Sequence, residues 1–192
     1  CNTAIEACGA FQLVERTRIG SPYVLDSMAK LSKRFTRVAG FEANGGFLLG
    51  SRLESDGRQL AALPTRDALL PALTLMVMAA QRGINLSQLI ADLPARYTAS
   101  DRLKDFATEK SHALLTEWQT SPELMQQTLG LQAGISAVNS TDGLRATLEN
   151  GDIVHLRPSG NAPELRCYSE SASQADASAL VKQSLAALEK LN

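Results

Sequence analysis

Three stretches of this chain carry residues whose types and spacing suit the binding of an anion or a polyol. The most concentrated is Arg157-Pro-Ser-Gly-Asn-Ala-Pro-Glu-Leu-Arg166. Arginine presents a fixed fork of N–H donors, and short residues such as Ser159, Gly160 and Asn161 let backbone amides approach an anion closely. A phosphate can be held this way without a P-loop helix. The same residues are ordinary turn formers, and taken alone such a stretch is more often a plain hairpin turn. The second stretch, Glu42-Ala-Asn-Gly-Gly46, sets a carboxylate and an amide two residues apart beside two glycines that leave space. Glu42 and Asn44 would offer acceptors and donors to sugar hydroxyls, or equally form a solvated hairpin turn. The third, Arg16-Thr-Arg-Ile-Gly-Ser21, places Arg18, Gly20 and Ser21 where a helix is expected to start. Such junctions can surround an anion with cations and amides, although a basic cluster of this size is more commonly a solvated strand end.

Other chemistries find little support. The two histidines, His112 and His155, lack a partner serine or carboxylate at suggestive spacing. Asp101 and Asp105 read as a solvated edge rather than an acid pair, and Asp67 as a stabiliser of a helix first turn. Neither GxGxxG nor GxxxxGK[ST] occurs, and no metal-ligand spacing is present. Cys1, Cys8 and Cys167 are widely separated, which suits incidental thiols of a reducing compartment better than a disulfide framework or zinc site.

These stretches must be held by a scaffold. Phe11–Ile19 has strand-like content, with Ser21 expected to cap the following helix and Pro22 to open it. A strand at Thr36–Phe41, extended structure at Phe47–Leu49, a turn at Ser55-Asp-Gly57 and a helix over Asp67–Arg82 closed by Gly83 follow. Ser87 is expected to cap a further short helix ending before Pro94. Strands alternating with helices predict an α/β layer with a largely parallel sheet. Residues 95–101 lack a clear period, which places a boundary near residue 99. Beyond it lie helices over Lys104–Gln119 and Pro122–Leu129, with Phe106, Leu114, Leu115 and Trp118 inward. Short strands at 134–139, 144–148, 152–156 and 164–169 then alternate with tight turns, the pattern of an antiparallel meander. An amphipathic helix over Ala175–Leu191 closes the chain. The fold class read from this pattern is α/β plus α+β: a three-layer α/β domain over residues 1–98, expected to be partial at its start, and over 99–192 a small antiparallel sheet covered by helices.

The chain has 192 residues and a formal net charge of -1, with 44% hydrophobic and 20% charged residues. A near-neutral balance gives no bulk field for nucleic acid or an anionic membrane, so any anion site must be local. The longest apolar stretch, interrupted by Pro71 and Thr74, is too short to span a bilayer. No signal peptide is recognisable, and a cytoplasmic location is expected. The opening Asn2 or Thr3 resembles a helix cap, so the chain is expected to be a fragment.

In their order, the three stretches resemble the carboxy-terminal half of the α-D-phosphohexomutase family, its third and fourth domains. The family's phosphate loop, Arg-Pro-Ser-(Asn/Gly)-Thr-(Glu)-Pro, stands here as Arg157-Pro-Ser-Gly-Asn-Ala-Pro163, with Asn161 in place of threonine and Ala162 in place of the frequent acid. Gly40-Phe-Glu-Ala-Asn-Gly-Gly46 is similar to the family's sugar-recognition loop Gly-Glu-x-Ser-Gly-His. The resemblance implies that Arg157, Ser159, Gly160 and Asn161 bind phosphate, that Glu42 and Asn44 contact sugar hydroxyls, and that Arg18, Gly20 and Ser21 border the substrate. It implies hexose phosphates and hexose bisphosphates as ligands and a phosphoserine donor and Mg²⁺ in amino-terminal domains outside these residues. Accordingly no catalytic residue and no metal ligand is assigned here, and the chain alone is expected to be inactive. A phosphomannomutase or phosphoglucomutase is the first expectation. An amino-sugar (N-acetylglucosamine) phosphomutase and a non-catalytic sugar-phosphate-binding module are the alternatives.

Overall fold

The structure, a computed structural model, describes residues 2–192; the expectation for Cys1 lies outside them. The chain divides into two compact units, one formed by Ile5–Pro94 and the other by Ala95–Asn192 together with Asn2–Ala4. The division falls a few residues before 99. Residue 99 itself lies inside a strand.

Helix α1 (Ala4–Ala7), whose first residue is grouped with the second unit, and α2 (Ser21–Leu31) open the first unit. Strands β1 (Ala39–Phe41), β2 (Phe47–Leu49), β3 (Leu53–Ser55), β4 (Arg58–Leu60) and β5 (Leu63–Asp67) follow, then α3 (Leu69–Arg82) and α4 (Leu86–Ala91). The sheet order is β1-β2-β5, with β3-β4 a separate hairpin. These pairings are antiparallel, not the parallel arrangement expected from alternation. The link from β1 to β2 spans only residues 42–46, too short for the crossover that parallel neighbours need. Phe11–Ile19 does not form a strand, and Phe11 and Ile19 are more than half exposed. The core is small, built from Val24, Met28, Val38 and Leu48 with Leu25, Leu31 and Phe35 against it.

Helix starts in this unit depart from expectation in two places. Gly20, not Ser21, precedes α2, and no side chain caps that helix; Ser21 uses its hydroxyl elsewhere. Asn85, not Ser87, caps α4, its side chain accepting from Gln88 N while Gln88 Oε1 accepts from Asn85 N. That reciprocal pair is a capping box. Asp67 stabilises the start of α3 as expected, its Oδ1 accepting from Leu69 N and Leu70 N, and Gly83 closes that helix in the left-handed conformation.

The second unit contains β6 (Tyr97–Lys104), α5 (Thr108–Thr120), α6 (Pro122–Leu129), β7 (Ile135–Asn139), β8 (Leu144–Leu148), β9 (Ile153–Pro158), β10 (Glu164–Ser171) and α7 (Gln174–Glu189). Strands β7 to β10 form the expected meander, and β6 adds to the far side of β10, giving the order β6-β10-β9-β8-β7. The segment without a period is thus the first part of an edge strand, and α5 starts at Thr108 rather than near Lys104. One sheet face is apolar, with Leu144, Ala146, Leu148, Val154, Leu156, Leu165 and Cys167 buried beneath Leu115, Trp118, Met125, Leu129, Val181 and Leu188 of the helices. Period-two alternation sends the other residues of each strand to the opposite face. That face carries the charge.

Candidate functional site

The Arg157 stretch is the β9–β10 hairpin connection. Arg157 and Pro158 end β9 opposite Arg166 and Leu165. The loop between them is fixed by main-chain bonds: Ser159 N donates to Glu164 O at 2.8 Å, Glu164 N to Ala162 O at 2.7 Å, and Phe106 N to Pro163 O at 2.9 Å. Ser159 is buried, with its Oγ 3.5 Å from Asn161 N as acceptor. Gly160 and Asn161 are exposed at the tip, where a side chain on residue 160 would meet open space. The loop is a hairpin turn held by its own main chain, with Gly160 and Asn161 left exposed at its tip.

Arg157 is the unusual member. Its Nε is buried without a hydrogen-bond partner, and the nearest acid, Asp142 Oδ2, lies 3.8 Å away. Buried donors without acceptors are rare and costly. Asp142 reaches this position because Gly143, at φ +80, lies directly on the backbone of Leu156 and Arg157, where any Cβ would collide. The Asp142 carbonyl is also within 2.5 Å of His155 Nε2. Burial holds the His155 ring below its ordinary pKa, against the pull of the Asp142 carbonyl and charge and with the help of Arg145 and Arg157. A neutral His155 with the proton on Nε2 donates to that carbonyl.

Register places two further cations in line. Arg157 faces Arg166 across β9–β10, and Arg166 faces Arg102 across β10–β6. Directly opposed residues share a face, so the three arginine side chains leave the same sheet face from adjacent strands. Glu164 is the acid between them, 3.2 Å from Arg102 Nη1 and 4.0 Å from Arg166 Nη2. Arg166 could be suspected from its parity with Glu164 and Tyr168 in β10. Arg102 could not, because only pairing of β6 with β10 aligns it.

In the first unit, Glu42 opens the β1–β2 turn with its side chain largely buried. Its Oε2 accepts from Ser21 Oγ at 2.9 Å and pairs with Arg66 Nε at 2.8 Å, and Arg66 Nε also lies 2.9 Å from Ser21 Oγ. Glu42 and Ser21, proposed for separate stretches, are therefore brought together, with Arg66 as the member that sequence spacing missed. Asn44 Oδ1 accepts from Gly46 N at 3.0 Å, leaving its amide NH₂ as the donor of the exposed turn. Gly46 is buried, and a Cβ there would press on Arg66 and Asn44. Arg18 is exposed, its guanidinium 5.9 Å from the Tyr23 ring centroid; Gly20, at φ +130, turns the chain into α2. Arg16 instead pairs with Glu6 at 2.6 Å. Among the described residues no three His, Cys, Asp or Glu side chains converge as a metal site. No described helix is long and apolar enough to cross a membrane.

Comparison with known proteins bears on the same segments. Residues 2–97 match the model of the alpha/beta/alpha domain III of phosphoglucomutase/phosphomannomutase, and residues 95–187 match that family's C-terminal domain. A phosphomannomutase of Salmonella muenchen is 50% identical over 95% of this chain and 38% of its own length. One from Sinorhizobium fredii is 40% identical over 97% of this chain and 40% of its own length. The chain thus spans about two fifths of the length of these relatives. The crystal structure of a phosphoglucomutase/phosphomannomutase family protein from Burkholderia thailandensis shares the fold, with a TM-score of 0.54 at 19% identity over 91% of this chain and 32% of that one. With both of its units matched in order, this chain belongs to the phosphoglucomutase/phosphomannomutase family.

Proposed function

We propose that this chain is the substrate-holding portion of a phosphohexomutase, an intramolecular phosphotransferase, with mannose phosphates as its first substrates. The observation that carries the reading is the buried Nε of Arg157, without a hydrogen-bond partner and only loosely paired with Asp142, beside a loop whose exposed tip offers Gly160 and Asn161. A phosphate dianion supplies the acceptors that this arrangement lacks, and charge-assisted N–H···O bonds are the stronger kind. Arg157, Ser159, Gly160 and Asn161 are assigned to phosphate, Ser159 chiefly by keeping the loop in shape. Glu42 and Asn44 are assigned to sugar hydroxyls, with Ser21 and Arg66 orienting Glu42; Arg18 and Gly20 border that stretch. The two phosphomannomutase relatives favour mannose phosphates over amino-sugar esters.

In this reading the chain's own residues bind and orient the ester, which is where much of the catalysis of phosphoryl transfer resides. The phosphoryl donor and the Mg²⁺ implied by the family resemblance belong to the remaining length of its relatives. Titration of the chain with mannose 6-phosphate and mannose 1-phosphate tests the assignment. Arg157→Ala should weaken binding by about 1.5–3 kcal/mol, the value of a hydrogen bond to a charged group. An unchanged affinity refutes the phosphate role of the loop. Parallel titrations with glucose and N-acetylglucosamine phosphates rank the sugars.

A further inference from the structure

We propose that Arg102, on edge strand β6, is an additional contact for the anionic group held by the Arg157 hairpin. Glu164 is then the carboxylate that occupies Arg102 until that group arrives. This rests on the reading of the hairpin as a phosphate clamp. Like charges directly opposite one another across a sheet destabilise it, yet Arg157, Arg166 and Arg102 stand in one row over three strands. Two interstrand spacings separate the ends of the row, about 10 Å, a span that long arginine side chains can bridge toward a common ligand.

The counter-charges present are too few and too loosely placed to explain the row. Glu164 is shared between Arg102 and Arg166, and only its contact with Arg102 is within hydrogen-bonding distance. Asp142 stands at 3.8 Å from Arg157, and a further cation, Lys104, sits directly opposite Glu164. Each guanidinium has five N–H donors. The side chains of Arg102 and Arg166 are 48% and 37% exposed, so donors remain toward solvent, and exposed ion pairs return little stability. The main chain of Glu164 also closes the hairpin by accepting from Ser159 N. One residue therefore joins the loop to the far cation: its carbonyl shapes the clamp and its carboxylate neutralises Arg102. A phosphate entering the loop competes with that carboxylate for the same donors.

The test is titration of the 192-residue chain with mannose 6-phosphate, with thermal unfolding of each variant alongside. Arg102→Ala should weaken binding on the order of tenfold, and Glu164→Gln should tighten it severalfold by removing the competitor. In the Arg102→Ala background the gain from Glu164→Gln should shrink, because one of the two cations it releases is gone. If Arg157→Ala weakens binding while Arg102→Ala and Glu164→Gln leave it unchanged, the role of Arg102 is overturned and the clamp stands. If Arg157→Ala also has no effect, the clamp reading falls first. Should Arg102→Ala unfold at lower temperature, Glu164→Gln decides: unchanged or weakened affinity overturns the proposal.

Discussion

Replacing Arg96 by alanine should cost the second unit about 3 kcal/mol, and the estimate can be built from its contacts. Arg96 Nε pairs with Glu170 Oε1 at 2.6 Å, with side chains only 17% and 5% exposed. Its Nη2 donates to the Gly151 carbonyl at 2.6 Å. Breaking a buried ion pair by removing one partner costs about 3–5 kcal/mol, because a charge is left uncompensated. Here the carboxylate retains two donors, the Thr3 N–H at 2.9 Å and the Thr3 hydroxyl, each worth about 1.5–3 kcal/mol to a charged acceptor, which favours the lower end. For a unit of this size that loss lowers the melting temperature by about 12–24 °C. Trp118, the chain's single tryptophan, is buried in this unit's core, so its fluorescence follows this unit. Glu170→Gln alone and combined with Arg96→Ala completes a double-mutant cycle, in which the double variant should lose less than the sum of the singles. A loss below about 0.5 kcal/mol, or strict additivity, would refute the claim that the pair acts as a buried unit.

Acid should act through the same carboxylate. Burial works against the Glu170 charge, but hydrogen bonds from Thr3 and Arg96 and the Arg96 charge outweigh it and hold its pKa below the usual value. Its stabilising contribution is therefore complete above the ordinary carboxylate range and is lost as pH falls through the lowered native value; Trp118-detected melts should fall steeply in acid, and less so in Glu170→Gln. Gly143→Ala combines an unfavourable φ with a collision against the Leu156 carbonyl and Arg157 Cα, and should cost about 2–4 kcal/mol in urea titrations. Burial pushes the Cys167 thiol up to about 12, so mass spectrometry after thiol alkylation should find it modified only once the chain is unfolded.

The second unit was largely legible because its signals are local. Gly143 and Gly151 mark tight turns, and Leu144-Arg-Ala-Thr-Leu148 alternates so that the period alone assigns its faces. Pro122 and Gly130 bound α6 as their backbone chemistry requires. The first unit was harder, since Phe11–Ile19 has strand-like residues whose ladder status depends on a partner rather than on their own preferences. Ser21 shows the same limit on a smaller scale: beside a helix start its hydroxyl is an ordinary cap, but Glu42 and Arg66 draw it away. In the site, the Arg157 loop stood out by composition. The row it belongs to did not, because Arg102 and Arg166 become neighbours of Arg157 only through register.

The position of β6 in the sheet bears on how the protein is made. Its ladder partner is β10, so Tyr97 meets Ser171 and Lys104 meets Glu164. A ribosome releases β6 long before β10 exists, and the intervening chain must fold or wait before this pairing can close the sheet. During that interval both edges of β6 are open templates for a neighbouring chain. Its sequence, Tyr-Thr-Ala-Ser-Asp-Arg-Leu-Lys, carries three charges and little apolar surface, which suits a strand that must stay soluble until its partner emerges. The charges on β6 can thus serve twice: as protection during synthesis, and through Arg102 as part of the finished basic row.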